Sequence, residues 1–168
     1  GTDTLHVVFA QLGVHLVLVH YLQFAYFGTG THLLTEGKVQ AQLKMGANFH
    51  FTGFLKGNDV DQMFAMSDVF VMPSISEPFG IVPLEAMRLD VPCVISKQSG
   101  VSEVVENALK VDFWDINGLA DAIYGLCHYP KLSEMFKREG KIEVDNLKWE
   151  FASKKIKAVY EKAIEITK

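Results

Sequence analysis

The stretch Pro73–Leu89, PSISEPFGIVPLEAMRL, decides how the rest of the chain is read. It follows the wholly apolar run Val69–Met72, which reads as a buried strand, and opens as a Pro/Ser-rich loop. An amphipathic helix is expected from about Ile81, with Pro83 tolerated in its first turn. A loop that leaves the carboxyl end of a central strand and enters a helix is where open α/β sheets bind ligands. Two glutamates bracket this one, Glu77 in the loop and Glu85 in the early helix. A ligand seated on the helix N-terminus would meet a carboxylate at either end. Gly80 lets the backbone come close to such a ligand with its amide N–H groups free to donate.

Working outward, strands are expected at Leu22–Phe27, Asn48–Thr52, Val69–Met72, Pro92–Ser96 and Leu109–Phe113. Helices are expected between them: Thr31 to about Lys44, then a short one capped by Asn58 or Asp59 with Val60, Met63 and Phe64 inward, and one near Val101 with Glu103 in its first turn. Asn117 is expected to cap the next, which places Leu119, Ala122, Ile123 and Leu126 on one face and ends before Pro130. A short helix around Leu132–Phe136 should stop at Gly140, and a last one should begin near Trp149. At the other end, Gly1-Thr2-Asp3 reads as a helix start, with Leu5, Val8, Phe9 and Leu12 at helical spacing. In the apolar run after it, Gly13–Tyr21, helix and strand compete and the boundary stays open. Strands alternating with helices, and few hairpin signals, predict an α/β fold with a doubly wound parallel sheet, Rossmann-like.

The 168 residues suit one domain with its own core, and 49% of them are apolar. A net charge of −4 argues against a nucleic-acid partner, which would show as a basic patch. The most apolar segment, Val14–Phe27, is interrupted by His15, His20 and Gln23, so no transmembrane segment is expected. Cys93 and Cys127 read as reduced core residues, and a cytoplasmic protein is the simplest expectation. The six histidines show no spacing that combines them with carboxylates or cysteines, so no metal is assigned.

With eleven glutamates in the chain, a pair at any chosen spacing arises roughly once by chance. The weight therefore lies in the surroundings of the pair: strand, Pro-Ser, Glu, Pro-Phe-Gly, two aliphatics, Pro-Leu-Glu-Ala-Met. In that setting Glu77, Phe79, Gly80, Ile81 and Glu85 resemble the signature of the retaining glycosyltransferases of family four, the group that includes glycogen-synthase-like enzymes. The resemblance runs from about residue 22 to the end. It implies one half of a two-domain GT-B architecture, the C-terminal domain that binds a nucleoside diphosphate sugar, with no separate cofactor. A glycan or small-molecule acceptor would be met through an N-terminal domain outside this chain. The resemblance also implies a first strand carrying an Arg and a Lys for the donor diphosphate. Neither is found, so the chain is expected to be truncated at its N-terminus, to lack that strand, to be inactive alone and to self-associate through an unpaired sheet edge.

By the same resemblance Glu77 sits beside the donor sugar as the catalytic carboxylate, and Glu85 grips the ribose hydroxyls. Phe79, Gly80, Ile81 and Val82 line the donor site. Gly28, Thr29 and Gly30, a GxG after a strand and before a helix, would take phosphate on backbone N–H groups. Each has a plainer reading: a solvated loop acid for Glu77, a first-turn acid on a helix dipole for Glu85, a tight turn for the glycines. Phe54 and Leu55 are as well explained by core packing as by a nucleotide base. For Lys97, a solvated lysine is the simpler reading than a phosphate ligand. Apolar residues of the last helix are expected to be partly exposed, because the resemblance has it cross to the other domain. Two other functions fit the same pattern, a nucleotide-sugar 2-epimerase half and a non-catalytic nucleotide-binding module. The donor sugar, base and acceptor are not encoded in any of these residues.

Overall fold

A computed structural model describes residues 5–10, 22–27, 49–52 and 55–166. Six parallel strands form one sheet: β1 (Leu5–Ala10), β2 (Leu22–Phe27), β3 (Phe49–Phe51), β4 (Val69–Met72), β5 (Cys93–Ser96) and β6 (Leu109–Val111). Their order is β3-β2-β1-β4-β5-β6. The chain thus winds outward one way from β1 and the other way from β4. The direction reverses between these two, which is the arrangement of a doubly wound nucleotide-binding sheet.

The N-terminal segment is a strand and not the helix its spacing predicts. β1 lies at the centre of the sheet, paired with β2 from Leu5↔Leu22 to Ala10↔Phe27 and with β4 from Val7↔Val69 to Phe9↔Val71. A central parallel strand reads as a continuous apolar run, so LHVVFA satisfies helical spacing by accident while its adjacent valines favour the extended chain. The expected loss of a neighbour for Leu22–Phe27 is overturned with it, since β2 is flanked by β1 and β3. β1 carries neither an Arg nor a Lys.

The helices are α1 (Asn58–Ala65), α2 (Val82–Arg88), α3 (Ile116–His128), α4 (Pro130–Asn146) and α5 (Trp149–Ile166), with a single 3-10 turn at Gly100–Glu103 in place of the helix expected near Val101. Both faces of β4 and β5 are covered. Alternate residues of β4 point to opposite faces, Phe70 and Met72 to one core with Phe64 and Met87, Val69 and Val71 to the other with Leu119, Ile123 and Leu126. Phe64 and Phe70 meet edge to face at 5.5 Å. Cys93 is buried and Cys127 half-buried, and neither is linked. Burial pushes the Cys93 thiol far above the usual range, and burial, with Asp68 adding to it, pushes Cys127 up to about 12, so neither is a thiolate at neutral pH.

Several helix ends differ from the sequence reading. The N-cap of α3 is Asp115, whose carboxylate accepts from the Gly118 amide at 2.9 Å, and Asn117 lies inside the helix. The N-cap of α1 is Gly57, at φ 56°, which leaves Asn58 and Asp59 as its first two residues. Gly140 does not stop α4. It is buried against α2, where an added Cβ would lie 3.1 Å from Cε of Met87, so close helix packing outweighs the local propensity of glycine to break the helix. Asp90, in the turn after α2, has φ 60°, a left-handed conformation that Asp tolerates better than most residues.

Candidate functional site

The candidate site is built on the connection from β4 to α2. β4 is buried throughout, and the chain stays buried through Pro73 and Ser74 before it surfaces at Ile75 and Ser76. Its carboxyl end neighbours that of β1, at the point where the sheet reverses direction. In open α/β sheets the loop at this reversal point borders the ligand-binding crevice. Glu77 is half-buried in this loop, and Phe79 and Ile81 beyond it are exposed by 40% and 54%, large apolar surfaces left uncovered at the mouth of the site. Gly80 has φ 87°, and a Cβ there would lie 2.9 Å from Cγ of Glu77 and 3.0 Å from Cε of Met72. Conformation and space both demand glycine.

Ile81 is the N-cap of α2, and its carbonyl accepts from the amides of Leu84 at 2.9 Å and Glu85 at 3.1 Å. The amides of Gly80 and Ile81 make no backbone hydrogen bond among the described residues. Glu85 is half-buried in the first turn. Partial burial raises its pKa above the ordinary glutamate value, the Arg88 guanidinium opposes that rise, and Asp61 adds to it. Neither Glu77 nor Glu85 has a side-chain hydrogen bond or a close ion pair among the described residues, so both carboxylates can accept from a ligand.

A second loop holds the first in place, and the sequence reading missed it. Glu77 forms an isolated parallel bridge with Ser99; the Gly100 amide donates to the Glu77 carbonyl at 2.9 Å and the Val101 amide to the Phe79 carbonyl at 2.6 Å. The space for a Cβ on Gly100 is taken by the Pro78 carbonyl. Serine hydroxyls tie this second loop down: Ser99 Oγ donates to the Ser96 carbonyl at 2.7 Å, and Ser102 Oγ reaches the carbonyls of Lys97 at 2.8 Å and Ser99 at 2.7 Å. Beside it Lys97 Nζ meets Asp112 Oδ2 at 2.8 Å, and Gln98 Nε2 donates to Asp112 Oδ1 at 2.8 Å. Hydrogen bonds from Lys97 and Gln98 hold the Asp112 carboxyl below its usual range. The Ser99-Gly100 dipeptide was a local signal for a turn. Its pairing with a loop some twenty residues earlier carried no signal at all.

The structure thus brings Glu77, Phe79, Gly80, Ile81, Val82 and Glu85 together on one loop and helix start. Gly28, Thr29 and Gly30 directly follow β2 but lie outside the described residues, as does Phe54. Among the described residues no group of His, Cys, Asp or Glu could hold a metal ion, and no helix is long and apolar enough to cross a membrane.

The family model described as glycosyl transferases group 1 matches residues 11–143. Sulfoquinovosyl transferase SQD2 of Arabidopsis thaliana is 32% identical over 113 residues, which is 64% of this chain and 22% of that protein. The fold is similar to that of sucrose-phosphate synthase from Thermosynechococcus elongatus, with a TM-score of 0.80, 22% identity, and coverage of 98% of this chain and 46% of that one. It is also similar to Anabaena HepE in complex with UDP-glucose, with a TM-score of 0.78, 18% identity, and coverage of 96% and 49%. The chain therefore spans about half the length of these solved structures and less of the curated relative. Both structures share the fold described above.

Proposed function

We propose, on the premise that this chain belongs to the glycosyl transferases group 1, that it is the donor-binding domain of an enzyme that moves a sugar from a nucleoside diphosphate sugar to an acceptor hydroxyl with retention of configuration. The observation that carries this reading is the seating of Glu77 and Glu85 on the loop and first turn that leave a central strand at the reversal point of the sheet. UDP-glucose bound to a structurally similar protein supports it. The base, the sugar and the acceptor are left open, and the acceptor is assigned to a partner domain.

In this reading Glu85 accepts hydrogen bonds from the two ribose hydroxyls, a task suited to a carboxylate with two free oxygens. The backbone from Phe79 to Val82, tied to the second loop at Phe79, packs along the donor. Gly28, Thr29 and Gly30 take phosphate through their amides. Glu77 lies beside the sugar and stabilises the positive charge that grows at the anomeric carbon as its bond to the diphosphate oxygen breaks. The acceptor oxygen bonds to that carbon on the same face, and its proton passes to the departing diphosphate. No protein nucleophile is needed. The isolated domain is expected to bind nucleotide without turning over.

The two carboxylates are separated by substitution in the two-domain enzyme. Glu85→Gln removes bonds present equally in ground and transition states and should raise the donor KM about tenfold or more. Glu77→Gln removes a contact that strengthens only as the bond breaks and should lower kcat by roughly 10²–10³. Titration calorimetry beside steady-state kinetics reads both. Unchanged donor affinity in Glu85→Gln, or an effect of Glu77→Gln on affinity alone, would refute these roles.

A further inference from the structure

Residues 1–37 contain no Lys or Arg, although they include β1, β2 and the chain that follows each. The β4–α2 loop, residues 73–81, contains none, and neither do residues 112–115 after β6. A phosphate arriving at the carboxyl edge of this sheet thus finds few side-chain cations in the described connections. They are Lys56, which follows the outermost strand β3, and Lys97. Lys97 is the first residue after β5, the strand that borders β4. It lies two residues before Ser99, which bridges Glu77. Its backbone is therefore held one strand from the proposed sugar site.

We propose that Lys97 is the cation that receives the donor phosphate next to the sugar in this chain, the other phosphate lying toward Gly28–Gly30, and that it exchanges the Asp112 carboxylate for a phosphate oxygen when the nucleotide arrives; this rests on the nucleotide-sugar reading above. The present pairing is one that Lys97 can leave. Its side chain is 52% exposed, and an exposed ion pair between a flexible lysine and a single carboxylate is weak. Asp112 is not orphaned by the exchange, because Gln98 Nε2 stays on its other oxygen at 2.8 Å. Gln98 is itself fixed, its Oε1 accepting from Ser96 Oγ at 2.8 Å and from the Phe113 amide at 3.3 Å. The acceptor network keeps its shape while the ammonium swings on its four-carbon stem toward a more highly charged anion. Asp112 then serves as a placeholder that keeps the lysine ordered near the site.

Titration calorimetry of the 168-residue chain with UDP, ADP and GDP, each beside its nucleoside, tests this at low ionic strength. Lys97→Gln should weaken binding of the preferred diphosphate about tenfold and leave its nucleoside unchanged, while Lys97→Arg keeps most of the affinity. Asp112→Asn should tighten diphosphate binding about two- to fivefold by removing the competitor, and should give no gain in the Lys97→Gln background. The same gain in both backgrounds would mean a general charge effect and would overturn the exchange. Diphosphate binding that Lys97→Gln does not alter would remove Lys97 alone and leave the nucleotide-sugar reading standing. If none of the three diphosphates binds, that reading falls and this inference falls with it.

Discussion

Replacing Gly100 with alanine tests whether the second loop holds the first. The added Cβ would overlap the Pro78 carbonyl oxygen and lie 2.9 Å from its carbon and 3.0 Å from Cα of Phe79, all backbone atoms that cannot rotate away. The two loops must separate, and the bonds from Gly100 to Glu77 and from Val101 to Phe79 stretch or break. Two backbone hydrogen bonds at about 1 kcal/mol each, with strain of about 1–3 kcal/mol partly relieved by their loss, give a destabilisation of about 2–4 kcal/mol. For a domain of this size that lowers Tm by about 5–15 °C. Urea unfolding followed by circular dichroism measures the first figure and a thermal melt the second. Gly125→Ala is the control: its Cβ would meet only Cδ2 of Leu132, at 3.6 Å, so this helix-interior change should be neutral or stabilising by up to about 1 kcal/mol. A Gly100→Ala protein within about 0.5 kcal/mol of wild type would show that the loops yield without cost, and the clamp would have no part in placing Glu77.

Asp90→Gly should raise stability by about 0.5–1 kcal/mol in thermal denaturation, since glycine adopts φ 60° without the Cβ penalty. Asp115→Ala should cost about 1 kcal/mol in urea unfolding, because the Gly118 amide loses its acceptor. Glu85 gives a pH signature: with its folded pKa above the unfolded one, stability falls as pH rises from the ordinary glutamate range through the raised value, and the penalty is complete above it. Glu85→Gln should then melt higher than wild type at neutral pH, the gap closing on acidification; a gap independent of pH would assign it to packing. Nucleotide affinity in wild type should decline on acidification at a pH above that of an ordinary glutamate, because the ribose contact needs the ionised form.

The parts of this fold that were legible in the sequence are those decided locally. VFVM and CVIS are short, wholly buried strands bounded by Asp68 and Pro92. The placement of Glu77 in a loop and Glu85 in a first helical turn was legible because an apolar strand, a Pro/Ser loop and an amphipathic helix follow one another directly. What failed depended on contacts distant in sequence. LHVVFA became a strand because β2 and β4 flank it, and Gly140 stayed helical because Met87 packs on it. The cap of α3 was misplaced by two residues, since Asp115 and Asn117 have similar capping chemistry and only the bond to Gly118 distinguishes them. The exposed stripe expected on the last helix is present, with Ile156, Val159, Tyr160 and Ile164 each more than half exposed on α5.

The position of β1 also sets the order in which the chain can fold. Its pairing with β2 joins residues 17 apart, as in Leu5↔Leu22, but its other edge waits for β4, where Val7 meets Val69 across 62 residues. During synthesis the nascent chain must carry an unsatisfied central strand until residue 72 has emerged, and the two halves of the sheet cannot join before then. Non-local parallel pairing of this kind slows folding, and the open edge can recruit a neighbouring chain in the interval. Expression at lower temperature, or with a chaperone that shields β1, should therefore raise the soluble yield more than substitutions that stabilise the finished fold.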